Sequence, residues 1–337
     1  MTPLAYLHGQ PAVTAEYKQQ CADFIVKEDL GFEPDGQGEH VLIYLRKTDC
    51  NTQFVAEQLA KFAGISAKLA TYAGLKDRQA VTEQWFGLHM PGKETPDFSA
   101  FALEGCEILR VTRQSKKLRV GVLKGNWFSL MIRDISDRQA LDARLQLITQ
   151  QGVPNYFGEQ RFGRDNHNIT QAQRWADGEI KVKDRQKRSF YLSAARSAIF
   201  NDIVSERIIH HTSSTALAGD ALQLTGRGSW FLALAAELPE LQQRIDNNEL
   251  QITAPMVGDD ALGTQEAAKQ FELQCLDKWQ SLIDLLKKER LMTSRRAILL
   301  KPSELTWQWI DEQTLKMHFW LPAGSYATSI LRELIVN

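Results

Sequence analysis

The sequence predicts an α+β fold in two domains, on three observations. Short β-branched or apolar segments crowd the first 150 residues and return near the end. Between them, from about residue 152 to 300, the apolar residues fall at helical spacing. At 337 residues the chain is also long for one domain, since domains run about 100–200 residues. A mainly helical block between strand-bearing segments predicts an insertion. The expected division is a discontinuous domain, 1–151 with 301–337, interrupted by an inserted domain over 152–300.

The elements follow in order. Residues 23–28 (DFIVKE), 41–45 (VLIYL) and 106–111 (CEILRV) read as strands. Residues 52–63 place Phe54, Val55, Leu59 and Phe62 on one helical face, with Gly64 as the stop. Residues 119–122 and 127–132 flank Lys124-Gly125-Asn126, which reads as a hairpin turn or a bulge. A helix over 137–150 has Ser136 as its expected N-cap and Gly152 as its stop. In the insertion, 189–210 and 264–289 both read as long helices. Pro302 ends that pattern, 318–321 reads as a strand, and 325–334 as a short closing helix.

Composition excludes several classes. No run reaches the roughly 18 apolar residues of a membrane span. The first residues, MTPLAYLHGQPAV, have neither the basic start nor the apolar core of a signal peptide, so a cytoplasmic protein is expected. Cys21, Cys50, Cys106 and Cys275 lie far apart, with no partner at metal-ligand spacing, and no metal is expected. The net charge of −1 leaves nucleic-acid binding to local clusters of charge. No G-x-G-x-x-G follows a strand and no P-loop is present.

The segment Tyr72–Trp85, YAGLKDRQAVTEQW, resembles the signature of the TruD family of pseudouridine synthases, where an aspartate stands in a G-x-K-D setting. NYFGEQRFG (155–163), KGNWF (124–128), GRGSWF (226–231) and PAGSYATSILREL (322–334) match the family as well. Together they run from the first strands to the end of the chain. The resemblance implies a pseudouridine-synthase-type catalytic domain, a mixed and largely antiparallel sheet flanked by helices, carrying an inserted TRUD domain. It also implies a tRNA substrate, the D-arm uridine at position 13, and a reaction that uses no cofactor. A monomer is expected.

Isomerising uridine breaks the N-glycosidic bond, turns the base and joins its C5 to the ribose. One carboxylate is required, either as nucleophile at C1′ or as the base that takes a proton from C2′. The resemblance assigns that carboxylate to Asp77. Lys76 and Arg78 put positive charge beside it, and Gly74 permits a tight loop. Taken alone, K-D-R also suits an ordinary exposed loop. By resemblance Lys18 lies near the aspartate and Phe128 stacks on the target base; Asn126 shares a strand face with Phe128 and reaches the base or the loop. These five, Lys18, Phe128, Asn126, Lys76 and Arg78, form the expected substrate-binding set.

The target nucleotide must leave its stack, with Lys and Arg on the phosphates. Two clusters qualify: Arg110 to Lys124, including Lys116 and Lys117, and Lys181 to Arg188, including Lys187 and Arg188. Their placement, one per expected domain, suits an RNA held in a cleft between domains. Arg332, in the closing helix, serves either RNA or packing. Two other classes compete: an RNA-binding or chaperone protein without catalysis, and a nucleoside or glycoside hydrolase with paired carboxylates.

Overall fold

Strands lead, helices follow and strands return. In the computed structural model, which describes residues 3–336, the first part holds β1 (Glu16–Tyr17), β2 (Phe24–Asp29), β3 (His40–Thr48), α1 (Thr52–Phe62), β4 (Ala70–Tyr72), β5 (Val81–His89), β6 (Cys106–Gln114), β7 (Gly125–Arg133) and α2 (Arg138–Gln151). The middle holds β8 (Val153–Pro154), α3 (His167–Ala176), α4 (Arg185–Ile209), β9 (Ala221–Leu224), β10 (Trp230–Leu232), α5 (Leu238–Asp246), β11 (Leu250–Met256), α6 (Glu266–Leu276), α7 (Gln280–Lys288), β12 (Ser294–Ala297) and β13 (Leu299–Leu300). Last come β14 (Ser303–Trp309), β15 (Leu315–Pro322) and α8 (Ala327–Leu334).

By packing, the chain forms two units. The sheet unit holds Ala12–Ala143, Pro302–Gly324 and the residues from Ile335; the helical unit holds the chain up to Pro11 with Arg144–Lys301 and Ser325–Leu334. Residues 3–11 and α8 fall in the helical unit.

The sheet runs β14-β15-β7-β2-β5-β3-β6, with β1 added to β7 and β4 to β5. Among these strands β2 pairs with β5 in parallel and the other pairings are antiparallel. This is the mixed, largely antiparallel α+β sheet expected from the sequence. Alternation decides which side chains face α1. Val41, Ile43 and Leu45 of β3 pack with Val55, Ala56 and Leu59 of the helix and with Phe86 and Leu88 of β5. Each of the Val, Ile, Leu and Phe side chains contributes about 1.5–3 kcal/mol through burial. The next inward position on β3 is Lys47, which is fully buried.

The helical unit is built around α4, a 25-residue helix with buried positions along most of its length, including Ala194, Ala198, Ile199, Ile203 and Ile208. A four-stranded sheet, β10-β9-β11-β12, packs beside it.

Local differences from the sequence reading have physical causes. Asp137, not Ser136, caps α2 by accepting from the Ala140 amide at 3.0 Å; the Ser136 hydroxyl instead accepts from the Thr14 amide. Residues 119–122 form a turn, with the Val122 amide bonded to Arg119, and Gly125-Asn126 begin β7 instead of turning a hairpin. The expected helix over 264–289 breaks into α6 and α7 at the single turn Asp277–Trp279. That break lets the Trp279 indole and the Lys278 ammonium both reach Asp202 of α4, at 3.0 and 2.8 Å.

Candidate active site

Asp77 lies on the loop joining β4 to β5, and the loop is tied down along its length. The Ala73 carbonyl accepts from Gly121, and the Lys76 amide donates to the Thr52 hydroxyl at 3.2 Å. The Lys47 ammonium donates to the Asp77 carbonyl at 3.0 Å. Arg78 pairs with Asp49 at 2.9 Å, an exposed contact. Gly74 has an ordinary φ, and a Cβ there would meet open space, so neither backbone nor packing requires a glycine. The anchors fix the loop, and the glycine does not.

The cation at the Asp77 carboxylate is Lys18, with its Nζ 2.6 Å from Oδ2. The same ammonium lies 4.0 Å above the Phe24 ring. Lys18 has a φ of 59°, a left-handed conformation that costs a non-glycine residue about 1–3 kcal/mol and needs support from its surroundings. Both partners remain partly open, with side chains 18 % and 29 % exposed.

Lys76 turns elsewhere. Its ammonium pairs with Glu28 at 3.0 Å and donates to the Asn126 side-chain oxygen at 2.8 Å. Of the two cations next to Asp77 in sequence, one thus holds a buried glutamate and the other holds Asp49. Glu28 is itself informative. The parallel ladder of β2 and β5 ends at Lys27 opposite Glu83, and the next free amide, that of Trp85, is taken up by the Glu28 carboxylate at 2.8 Å. Burial pushes the Glu28 carboxyl above its usual range, and the Lys76 charge opposes that shift. Burial likewise holds the Lys47 ammonium below the usual lysine range.

Alternation along β7 puts Asn126 and Phe128 on one face, as expected. Phe128 is nearly buried. Phe319 stacks on it, with centroids 5.3 Å apart, and Phe24 meets it edge-on at 6.3 Å. Sequence reasoning missed Phe24, Phe319, Glu28, Lys47 and Thr52. For Glu28 and Lys47 a signal existed: each is a charged residue at an inward-facing position of a strand.

The expected phosphate contacts are dispersed. Lys116 and Lys117 are exposed on the segment between β6 and β7. Lys187 is exposed in the first turn of α4, where a cation opposes the helix dipole and so gives the helix no stability. Arg188 pairs with Glu289 and lies over the Trp175 ring. Arg332 is occupied within the helical unit, stacked 3.6 Å from the Tyr6 centroid and donating to the carbonyls of Leu4 and Ala5. Among the described residues no cluster of three His, Cys, Asp or Glu could hold a metal, and no helix is long and apolar enough to cross a membrane.

Comparison with known proteins gives the family. The family model described as tRNA pseudouridine synthase D (TruD) matches residues 3–174 and 171–334. The chain is 58 % identical over 332 residues to tRNA pseudouridine synthase D of Pectobacterium atrosepticum, covering 98 % of this chain and 95 % of that one. A crystal structure assigned as TruD from Methanosarcina mazei superposes with a TM-score of 0.77, covering 99 % of this chain and 96 % of that one; at 20 % identity this likeness shows the fold alone. On the family match and the bacterial relative together, the chain belongs to the TruD family of tRNA pseudouridine synthases.

Proposed function

We propose that this chain isomerises uridine to pseudouridine in tRNA, at the D-arm uridine 13 that the family resemblance implies, with Asp77 as the reacting carboxylate. The observation that carries the reading is the Asp77–Lys18 pair: a partly open carboxylate, aimed by one ammonium and set on an anchored loop. The reaction breaks the N1–C1′ bond and forms C5–C1′. N1 gains a proton, C5 loses one, and the product is an isomer of the substrate. Asp77 either attacks C1′ or takes the C2′ proton to give a glycal; Lys18 orients it for both. Asn126, held by Lys76, offers its amide to the flipped base. One face of Phe128 is taken by Phe319, so a stacked base uses its remaining surface. Lys76 and Arg78 act by fixing the loop.

In this reading the domain 1–151 with 301–337 performs the chemistry and 152–300 grips the RNA. Lys116, Lys117, Lys187 and Arg188 supply charge for the phosphates, and Arg332 secures the N-terminal segment. The enzyme acts in the cytoplasm as a monomer, without metal or cofactor. A hydrolase with two working carboxylates is disfavoured by Glu28, whose side chain is fully buried and spent on Lys76 and the Trp85 amide.

The test is product analysis with unmodified tRNA, reading pseudouridine as carbodiimide-dependent stops in primer extension. Pseudouridine at one D-arm uridine is the expected result. Free uracil with an abasic site would favour the hydrolase, and bound but unchanged tRNA the non-catalytic binder.

A further inference from the structure

Two arginines buried in the helical unit are closed by carboxylates, Arg207 by Asp220 and Arg295 by Glu272, whereas among the described residues Arg196 donates only to the carbonyls of Met256 and Met292 and the Ser294 hydroxyl. Arg161 and Arg296 also lack a carboxylate, and they differ in lying together. Arg161 donates to the Tyr326 hydroxyl at 2.8 and 3.2 Å and to the Ser193 hydroxyl at 2.8 Å. Arg296 donates to the Asn155 side-chain oxygen at 2.5 Å and to its carbonyl at 3.3 and 3.4 Å. Both guanidiniums lie against the Phe157 ring, at 5.3 and 4.4 Å from its centroid. Every one of these partners is neutral, and among the described residues neither arginine makes an ion pair with a carboxylate. Burial pushes the Arg296 pKa down to about 10, and the Arg161 charge adds to that shift. Two like charges have been brought together with nothing of opposite sign between them, an arrangement an anion would relieve.

We propose that Arg161, Ser193 and Tyr326, backed by Arg296, form a phosphodiester-binding site for the RNA backbone. The donors are in place. A guanidinium has five N–H groups, and Arg161 uses three. The Ser193 and Tyr326 hydroxyls accept from Arg161, which leaves their own hydrogens to donate to an anion. A planar fork with two flanking hydroxyls suits phosphate oxygens. Phe190 points to RNA over a free small anion: it lies three residues before Ser193 on α4, hence on the same helical face, and is 46 % exposed. An exposed ring beside a phosphate site is a platform for an unstacked base. Arg185 and Lys187 extend positive charge along the same helix.

The site rests on the tRNA reading above, so wild-type turnover is measured on the same tRNA. Arg161→Gln should weaken tRNA binding about tenfold and lower the slope of log Kobs against log salt by about 0.7–0.9, the loss of one phosphate contact. Phe190→Ala should weaken binding about fivefold or more with an unchanged salt slope. Should Arg161→Gln fail to fold, phenylglyoxal modification of the wild type, mapped by peptide, replaces it: tRNA should protect Arg161. Unchanged affinity and slope in Arg161→Gln, or an Arg161 left unprotected, would overturn the site even in an enzyme that makes pseudouridine. A wild type that binds tRNA through Arg161 but makes no pseudouridine would support the site and overturn the functional reading. A wild type that does not bind tRNA would overturn both.

Discussion

The ion pairs buried in the helical unit and the pair at the Asp77 loop use similar groups to different ends. Arg207–Asp220 and Arg295–Glu272 have side chains no more than 1 % exposed, and further hydrogen bonds are donated by the arginines and accepted by the carboxylates. Lys18–Asp77 is partly open, with side chains 18 % and 29 % exposed. A closed pair is framework: its two charges were taken out of water together, and losing one strands the other. A partly open pair gives up little desolvation, contributes little to stability, and stays approachable by a substrate. Burial, rather than the presence of opposite charges, separates structural pairs from working ones.

The largest expected effect breaks a closed pair. Arg207→Met leaves Asp220 uncompensated and should destabilise the protein by about 3–5 kcal/mol in urea unfolding; a cost under about 1 kcal/mol would erase the distinction. Lys18→Met should show the converse. Its stability should stay within about 1 kcal/mol of wild type, while turnover falls about 10²-fold because the carboxylate is no longer aimed.

A pH series sharpens the comparison at an intermediate case. Glu83 is opposed by burial, but hydrogen bonds from Arg46, Lys27 and Tyr44 outweigh it and hold the carboxyl below its ordinary 4.5. A depressed folded-state pKa adds stability that is present above the unfolded value and lost as pH falls through the folded one. The stability gap between wild type and Glu83→Gln should therefore be constant above about pH 4.5 and close at lower pH. A gap that widens on acidification would contradict this. The smallest effect belongs to Arg78→Ala, which removes an exposed pair and should change thermal stability by less than about 1 kcal/mol.

Much of this was legible in the sequence. Alternation marked the cores of β2 and β3, and helical spacing marked α1 and α4, because those signals are local. The Asp77 setting was legible through its resemblance to a family. What was hidden is long-range. Lys18 and Asp77 are 59 residues apart, so only the family resemblance put them together, while adjacency in sequence pointed to Lys76 and Arg78 as flanking cations. Both had another partner that only the folded chain brings near: Glu28 for Lys76, Asp49 for Arg78. The break at Asp277–Trp279 was hidden for the same reason, since the helical periodicity runs through it and its cause is Asp202 on another helix.

The central claim is that Asp77 performs the chemistry and is not merely part of the loop's framework. The direct measurement places wild type and Asp77→Ala side by side on unmodified tRNA, with pseudouridine mapping and a tRNA-binding assay on both. Pseudouridine is expected from the wild type, and from the variant a rate lower by at least about 10²–10⁴-fold with tRNA binding retained. A variant that forms pseudouridine at the wild-type rate would contradict it.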